Sequence, residues 1–214
     1  MSEPIGVFGG TFDPIHNGHL RTAFELWQLL KLAQVRFLPT GSPAHREAPL
    51  ASSELRLEMV RLAVAGQPGF TVDDREIRRG GVSYSVDTLT GLRAEYPDRS
   101  LCLLLGMDAF LGMPTWHRWR EIFGLAHVVV AHRPGWKVPI TGPLGEEMVD
   151  RGTGSVRELH SLTAGRIHVR AVTQLEIAST DLRSLIVTGR DLRYLVPEAV
   201  RDLIVHTGCY APSA

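Results

Sequence analysis

The stretch that decides the fold runs from residue 5 to residue 19 and reads IGVFGGTFDPIHNGH. Residues 5–8 are apolar and predict a buried strand that ends at Gly9 and Gly10. Apolar residues with helical spacing follow at Leu20, Ala23, Phe24 and Trp27. Glycines at a strand end let backbone amides approach a ligand closely, and the N-terminus of the next helix attracts anions. The stretch therefore predicts a phosphate site between a strand and a helix.

Three side chains of this stretch, Thr11, His16 and His19, can donate hydrogen bonds to such a phosphate. Gly18 separates the two histidines and leaves room for a triphosphate. Either histidine alone is better explained as a turn cap or as a polar residue on the first helical turn. A zinc site is disfavoured, because the chain has no His-Glu-x-x-His pattern and no cysteine nearby. The strand, glycines and donors together favour a functional site.

Composition excludes several classes of protein. The 214 residues include 44% hydrophobic and 21% charged residues, as in soluble globular proteins, and the formal net charge is zero. Balanced charge argues against a nucleic-acid partner. No apolar run is long enough to span a membrane, and the first strand begins too early to leave room for a signal peptide. Cys102 and Cys209 show no paired spacing, so we expect the reducing environment of the cytoplasm. From the lack of a long apolar run we expect no membrane partner.

Apolar runs alternate with helical patterns along the chain. Strands are predicted at residues 35–38, 70–72, 101–105, 128–131 and 167–172, and helices at 53–65, 85–96 and 116–123. Residues 135–165 are predicted as loops around a helix, and residues 179–206 as two helices, the second beginning at Pro197 and ending at Gly208. The alternation predicts an α/β fold: Rossmann-like, doubly wound, with a mostly parallel sheet covered on both faces. Ligands of such sheets bind beyond the carboxyl ends of the strands.

The spacing of Thr11, His16, Gly18 and His19 resembles the T/H-x-G-H signature of nucleotidyltransferases. This resemblance implies that His16, His19 and Thr11 are catalytic. It also implies contacts of ATP with Gly9, Gly10, Thr11, His16 and His19.

Residues 177–183, IASTDLR, place two hydroxyl residues at a predicted helix start and an arginine in the next turn. Taken alone, Ser179 or Thr180 is better explained as an N-cap. The segment is similar to the I-S-S-T-x-I-R element of bacterial nicotinate-nucleotide adenylyltransferases, from which it departs at Ala178 and Leu182. The resemblance implies further ATP contacts at Ser179, Thr180 and Arg183.

Residues 80–89, GGVSYSVDTL, look like the G-x-S-Y-T-x-D-T-L element of the same family, with Ser85 in place of threonine. The resemblance implies that backbone amides at Tyr84 and Ser85 receive the carboxylate of a pyridine ring. The alternative is a helix cap by Ser83 or Ser85.

Residues 106–108, GMD, followed by Trp116 and His117, are similar to the family's G-x-D…W stretch. The resemblance implies that Asp108 accepts a sugar hydroxyl of ATP, and that Trp116 and His117 contact the mononucleotide, with Trp116 stacked on its ring. If the resemblance is set aside, the alternative explanation of Asp108 is a solvent-exposed acid in a turn, and that of Trp116 is a residue of the hydrophobic core.

Two arginines complete the implied mononucleotide site. Residues 40–46, TGSPAHR, resemble a proline-rich P-H-K loop, with Ala44 in place of proline and Arg46 in place of lysine. Arg133, in the Arg-Pro-Gly run after the 128–131 strand, resembles a phosphate contact, and the alternative is a surface arginine in a turn.

The resemblance extends from residue 6 to residue 183 and implies adenylyl transfer from ATP to nicotinate mononucleotide, with Mg²⁺ carried by the ATP phosphates and no metal site in the protein. It implies a single nucleotidyltransferase domain over residues 1–214, in which a helical part, residues 176–214, completes the ATP site of a core formed by residues 1–175. Nicotinamide mononucleotide and a pantetheine phosphate are alternative acceptors. A non-catalytic pyridine-nucleotide sensor is an alternative of another class. A dehydrogenase is disfavoured, because no G-x-G-x-x-G follows the first strand.

Overall fold

The computed structural model describes residues 3–43, 48–132, 141–173 and 175–211. The strands are β1 (Ile5–Gly10), β2 (Gln34–Pro39), β3 (Ser42–Pro43), β4 (Phe70–Val72), β5 (Val82–Ser83), β6 (Leu101–Gly106), β7 (His127–His132) and β8 (Ile167–Ala171). The helices are α1 (Asn17–Leu29), α2 (Ser53–Val64), α3 (Arg75–Arg79), α4 (Ser85–Glu95), α5 (Met107–Gly112), α6 (Ile122–Leu125), α7 (Gly142–Arg151), α8 (Val156–Ser161), α9 (Ser179–Val187) and α10 (Glu198–Thr207).

Six strands form one sheet in the order β4-β2-β1-β6-β7-β8, and all five neighbouring pairs are parallel. Numbered within this sheet alone, the order is 3-2-1-4-5-6, which is that of the doubly wound fold. The predicted Rossmann-like fold class is therefore confirmed. Strand order reverses between β1 and β6, so the ligand crevice of this fold lies at the carboxyl ends of these two strands.

The sheet is buried on both faces, as the continuous apolar strands predict. Successive residues of β6 belong alternately to two separate hydrophobic clusters, with Cys102 and Leu104 in one and Leu101, Leu103 and Leu105 in the other. Helices α1, α2, α9 and α10 contribute buried residues to the first cluster, and α4, α5, α6 and α7 to the second. The proposed division of the chain at residue 175 stays a prediction.

The ends of the helices follow ordinary capping rules where the sequence predicts them best. Pro197 is the N-cap of α10, and Gly208 ends that helix in the left-handed conformation, with φ of 62°.

Within the described residues, no helix combines the length and the apolar character needed to cross a membrane.

Two predictions about the second half of the chain are wrong. Residues 116–123 do not form one helix, because Arg118 has a left-handed φ of 52° and separates two short 3₁₀ turns, Met113–Thr115 and Trp119–Glu121. Only α6 continues as an α-helix. The 135–165 stretch contains two helices, α7 and α8, instead of one, and its residues 135–140 lie outside the described part.

Arg56 joins α2 to the loops that follow β1 and β2. Its side chain is buried, with 1% of the residue exposed. Its guanidinium donates to the carbonyl oxygens of Thr11 and Thr40, both at 2.7 Å, and of Gly41 at 3.0 Å and Ala51 at 3.3 Å. Four carbonyl groups that are not paired in the sheet are therefore satisfied by one side chain.

We expect Arg56→Lys to lower the free energy of unfolding by about 2–3 kcal/mol, because a compact ammonium group cannot reach these four carbonyls at once. Chemical denaturation measures the change. Arg61→Lys is the matched control, since Arg61 lies on the same helix with 53% of its side chain exposed, and we expect it to change stability by less than about 0.5 kcal/mol. Equal losses in the two variants would contradict the role given to Arg56.

Candidate active site

A cavity of about 1270 Å³ lies at the carboxyl ends of β1 and β6, where strand order reverses. It is lined by residues from every selected segment except the Arg-Pro-Gly run at 133–135, which lies outside the described residues. The predicted site residues in its wall are Gly9, Gly10, Thr11, His16, His19, Tyr84, Ser85, Asp108, Trp116, His117, Ser179, Thr180 and Arg183. Arg46 and Arg133 lie outside the described residues.

His16 and His19 are held by the first turn of α1. The backbone N–H of His19 donates to Nδ1 of His16 at 3.4 Å, and the backbone N–H of His16 donates to Nδ1 of His19 at 3.3 Å. Each Nδ1 therefore carries a lone pair, and the proton of each neutral ring resides on Nε2. The helix cap fixes the tautomer in which both imidazoles donate through Nε2, so the capping explanation is confirmed, and it leaves both Nε2–H groups available as donors.

The two imidazole rings are stacked, with centroids 3.6 Å apart and planes 24° from parallel. Because two imidazolium ions at this distance repel each other, the stack favours neutral rings. Burial lowers the pKa of His16 to about 4, so this ring is neutral at physiological pH. The pair consists of hydrogen-bond donors and does not rely on a formal positive charge.

Gly18 is required by the histidine pair itself. A Cβ at this position would lie 3.0 Å from Nδ1 of His16, closer than a side chain normally packs. A side chain here would require the His16 ring to shift by a few tenths of an ångström. The close contact with His16 is thus a second explanation for glycine at position 18, besides the predicted need for room for a triphosphate.

The 177–183 segment at the start of α9 packs against the loop between β1 and α1. Oγ of Ser179 donates to the carbonyl oxygen of Pro14 at 3.0 Å, and Arg183 donates to the carbonyl oxygen of Asp13 at 2.7 Å. The N-cap of α9 is Ala178 and has no side-chain capping bond, so the N-cap explanation of Ser179 or Thr180 is wrong.

The implied mononucleotide residues lie on the β6 side of the cavity. The rings of Tyr84 and His117 are in contact, with centroids 4.5 Å apart. Asp108, which the resemblance assigns to ATP, lies in the first turn of α5. The N-cap of α4 is Tyr84 without a side-chain capping bond, which corrects the alternative in which Ser83 or Ser85 caps this helix. Trp116 is the C-cap of the 3₁₀ turn Met113–Thr115, just before the segment in which the predicted helix at 116–123 is replaced by a second 3₁₀ turn and α6.

Sequence reasoning missed four residues that organise this site, namely Asp13, Arg56, Glu76 and Tyr210. Asp13 and Glu76 line the cavity, and the hydroxyl of Tyr210 donates to Oδ1 of Asp13 at 2.7 Å. Tyr210 is 197 residues from its partner, and no local pattern could connect them. Asp13 lies inside the opening motif, three residues before His16, and an acid at this place in the motif is a signal that could have identified it.

No group of three or more His, Cys, Asp or Glu side chains in the described ranges could hold a metal ion.

The fold and the cavity together define a nucleotide-binding α/β protein of the doubly wound class.

Comparison with known proteins identifies the family. Residues 7–185 match the cytidylyltransferase-like family. A probable nicotinate-nucleotide adenylyltransferase of Aeromonas hydrophila subsp. hydrophila is 48% identical over 213 residues, covering 100% of both chains. One from Methylococcus capsulatus is 46% identical, covering 97% of this chain and 99% of its own. The chain therefore belongs to the cytidylyltransferase-like family and, within it, to the nicotinate-nucleotide adenylyltransferases.

A solved structure supports the same fold. The nicotinic acid mononucleotide adenylyltransferase of Plasmodium falciparum, in complex with NaAD, has a TM-score of 0.73 with 14% sequence identity and covers 97% of each chain. At this identity the likeness concerns the fold alone.

The lowered pKa of His16 predicts a pH-dependent stability. Because the folded protein resists protonating this ring, the unfolded chain binds more protons between about pH 6.5 and about pH 4, and stability falls as pH is lowered through this range. His16→Asn keeps an N-cap acceptor and cannot titrate, so we expect it to remove about 2 kcal/mol of the fall in unfolding free energy between about pH 7 and about pH 5.

Urea denaturation at the two pH values measures both slopes. His127 and His168 also have pKa values lowered by burial, and comparison with the wild type cancels their contributions. The same slope in both proteins would show that His16 protonates as readily in the folded as in the unfolded state.

Proposed function

We propose that this protein transfers the adenylyl group of ATP to the phosphate of nicotinate mononucleotide, forming nicotinate adenine dinucleotide and pyrophosphate in NAD biosynthesis. The observation that carries the proposal is the histidine pair with fixed tautomers, placed in one cavity with the 84–85 segment and Trp116. The names of relatives 45–48% identical over nearly the whole chain support it.

The size of the cavity supports a reaction between two nucleotides. Pockets for one small molecule typically measure about 300–1,000 Å³, and this cavity is larger, at about 1270 Å³. Two substrates can therefore be bound side by side, which converts the attack into a step within one complex.

The chemistry requires no general base. The second ionisation of a phosphate monoester has a pKa of about 6, so the attacking oxygen of the mononucleotide already carries charge at neutral pH. This oxygen attacks the α-phosphorus of ATP, the new P–O bond forms, and the bond to the β-phosphate breaks to release pyrophosphate. The remaining task is to bring two anions together and to stabilise charge at the α-phosphoryl group.

His16 and His19 perform this task as donors. Nε2–H groups of the two neutral rings donate to oxygens of the α-phosphoryl group and to the bridging oxygen. Thr11 and the backbone at Gly9 and Gly10 seat the triphosphate. Ser179, Thr180 and Arg183, from the N-terminal turns of α9, contact its β and γ groups.

Mg²⁺ enters with ATP as part of the substrate, held by phosphate oxygens and water. The described carboxylates suit this arrangement, since both oxygens of Asp13 already accept hydrogen bonds from Leu50, Ala51 and Tyr210. The ion neutralises part of the charge of the triphosphate.

Backbone amides at Tyr84 and Ser85 receive the pyridine carboxylate at the start of α4, where the helix dipole favours negative charge. Trp116 and His117 flank the mononucleotide, Asp108 accepts a ribose hydroxyl of ATP, and Arg46 and Arg133 contact the mononucleotide phosphate. This arrangement favours the acid over the amide acceptor.

We infer that the protein works in the cytoplasm. Both cysteines are free, and burial raises the pKa of Cys102 to about 12, which leaves its thiol unreactive. Free cysteines are typical of a reducing compartment.

A turnover assay tests the activity and the acceptor together. Purified protein is supplied with Mg²⁺-ATP and, in separate reactions, nicotinate mononucleotide, nicotinamide mononucleotide or a pantetheine phosphate, and released pyrophosphate and the dinucleotide are quantified. We expect kcat/KM for the acid to exceed that for the amide by at least about tenfold, because only the acid forms a charged hydrogen bond with the 84–85 amides. Binding without pyrophosphate release from any acceptor would instead support the sensor.

His19→Ala tests the donor role. We expect kcat to fall by about a hundredfold or more with a much smaller change in the dissociation constant of ATP, because removing one preorganised donor mainly affects the transition state. Steady-state kinetics and equilibrium binding of an ATP analogue measure the two quantities. Unchanged turnover in this variant would remove His19 from the mechanism.

A further inference from the structure

Glu76 is a buried acid in the wall of the cavity that the proposed reaction does not use. It lies on α3, is 7% exposed, and lines the cavity together with Ser83, Tyr84 and Ser85. Burying a carboxyl group costs free energy unless hydrogen bonds compensate it. The partners of Glu76 therefore indicate what its position stabilises.

Two hydroxyl groups compensate the carboxyl group of Glu76. Oγ1 of Thr88 donates to its Oε1 at 2.6 Å, and the hydroxyl of Ser83 lies near enough to the carboxyl group to lower its pKa. Oγ of Ser83 in turn accepts from the backbone N–H of Gly41 at 3.2 Å. Gly41 lies so close to α3 that a Cβ on Gly41 would be 2.8 Å from the backbone carbonyl oxygen of Glu76. The network connects β3, α3, β5 and α4.

The two hydroxyl residues flank the segment that faces the acceptor. Ser83 directly precedes Tyr84, and Thr88 lies in the first turn of α4, just after Ser85. The N-cap of α4 has no side-chain capping bond, so this helix start is not fixed by a cap of its own. Glu76 instead interacts with a residue on each side of the start of α4, Ser83 before it and Thr88 after it.

We propose that Glu76 is a positioning residue for the acceptor mononucleotide. Its carboxyl group fixes Ser83 and Thr88 and so holds the backbone amides of Tyr84 and Ser85 where they receive the pyridine carboxylate. This role rests on the proposed function and adds to it the residue that maintains the preference for an acid.

The charge environment agrees with this geometry. Burial raises the pKa of Glu76, while the hydrogen bonds from Thr88 and Ser83 and the nearby Arg79 act in the opposite direction, and Asp73 acts with burial. The hydroxyl donors are thus what makes the buried acid tolerable. An amide in its place keeps the volume but has one acceptor oxygen instead of two.

Kinetics of Glu76→Gln and Thr88→Val test the proposal. For each variant, KM for nicotinate mononucleotide is expected to rise about tenfold, with KM for ATP changed by less than about twofold. KM for nicotinamide mononucleotide should rise less, because this acceptor lacks the carboxylate. A simple loss of folded protein would not produce this selective pattern.

The chain offers matched controls on the same helix. Thr88→Ser keeps the hydroxyl and should restore KM close to the wild-type value. Thr90→Val removes a hydroxyl that bonds only to the carbonyl of Val86 in its own helix, and should leave all three constants unchanged. The double variant of Glu76 and Thr88 should be no worse than the more affected single variant, since both act through one network.

Two results would overturn the positioning role while leaving the proposed function intact. One is an unchanged KM for the acid acceptor in both variants of an active enzyme. The other is an equal rise for all substrates together with a lower free energy of unfolding, which would mean that Glu76 supports the fold in general. A wild-type protein without turnover on any acceptor would overturn the proposed function, and this role with it.

Discussion

The carboxylate of Asp13 accepts hydrogen bonds from two distant parts of the chain. The backbone amides of Leu50 and Ala51 donate to it at 2.9 and 3.1 Å, and the hydroxyl of Tyr210 donates at 2.7 Å. Arg183 forms an ion pair with it at 3.7 Å. Because Asp13 lies three residues before His16, these contacts fix the histidine loop against the start of α2, α9 and the C-terminal segment. The loop that carries both histidines is thus held in place by one buried acid.

Irregular chain around the cavity is held by a few such side chains. Burial and the neighbouring Asp13 raise the pKa of Tyr210, so its hydroxyl remains protonated and continues to donate. Arg56 satisfies carbonyl oxygens of the loops that follow β1 and β2. Charge-assisted hydrogen bonds are stronger than neutral ones, and here they replace the ladder bonds that a strand or helix would supply. The loops can therefore place ligand-binding groups without regular structure.

The sequence predicts well the parts of this protein that depend on local pattern. The apolar runs locate all six strands of the main sheet, and the glycine turn with its histidines lies between a strand, β1, and a helix, α1, as the sequence predicts. The pattern fails at residues 116–123, where apolar spacing suggests a helix but Arg118 adopts a left-handed conformation. It also cannot predict Tyr210 beside Asp13, because a contact across 197 residues depends on how the whole chain packs.

The electrostatics of the cavity show why neutral donors and helix ends matter here. Among its described lining residues, Arg183 is the only lysine or arginine, whereas Asp13, Glu76 and Asp108 are acids. Formal charge in this part of the wall therefore does not attract two phosphate-bearing ligands. Helices α1, α4, α5 and α9 all begin at the cavity, and their amide dipoles and the neutral imidazoles supply the positive potential instead. Such dipoles are directional, so they favour anions placed at the helix ends over anions in general, which agrees with a chain of zero net charge.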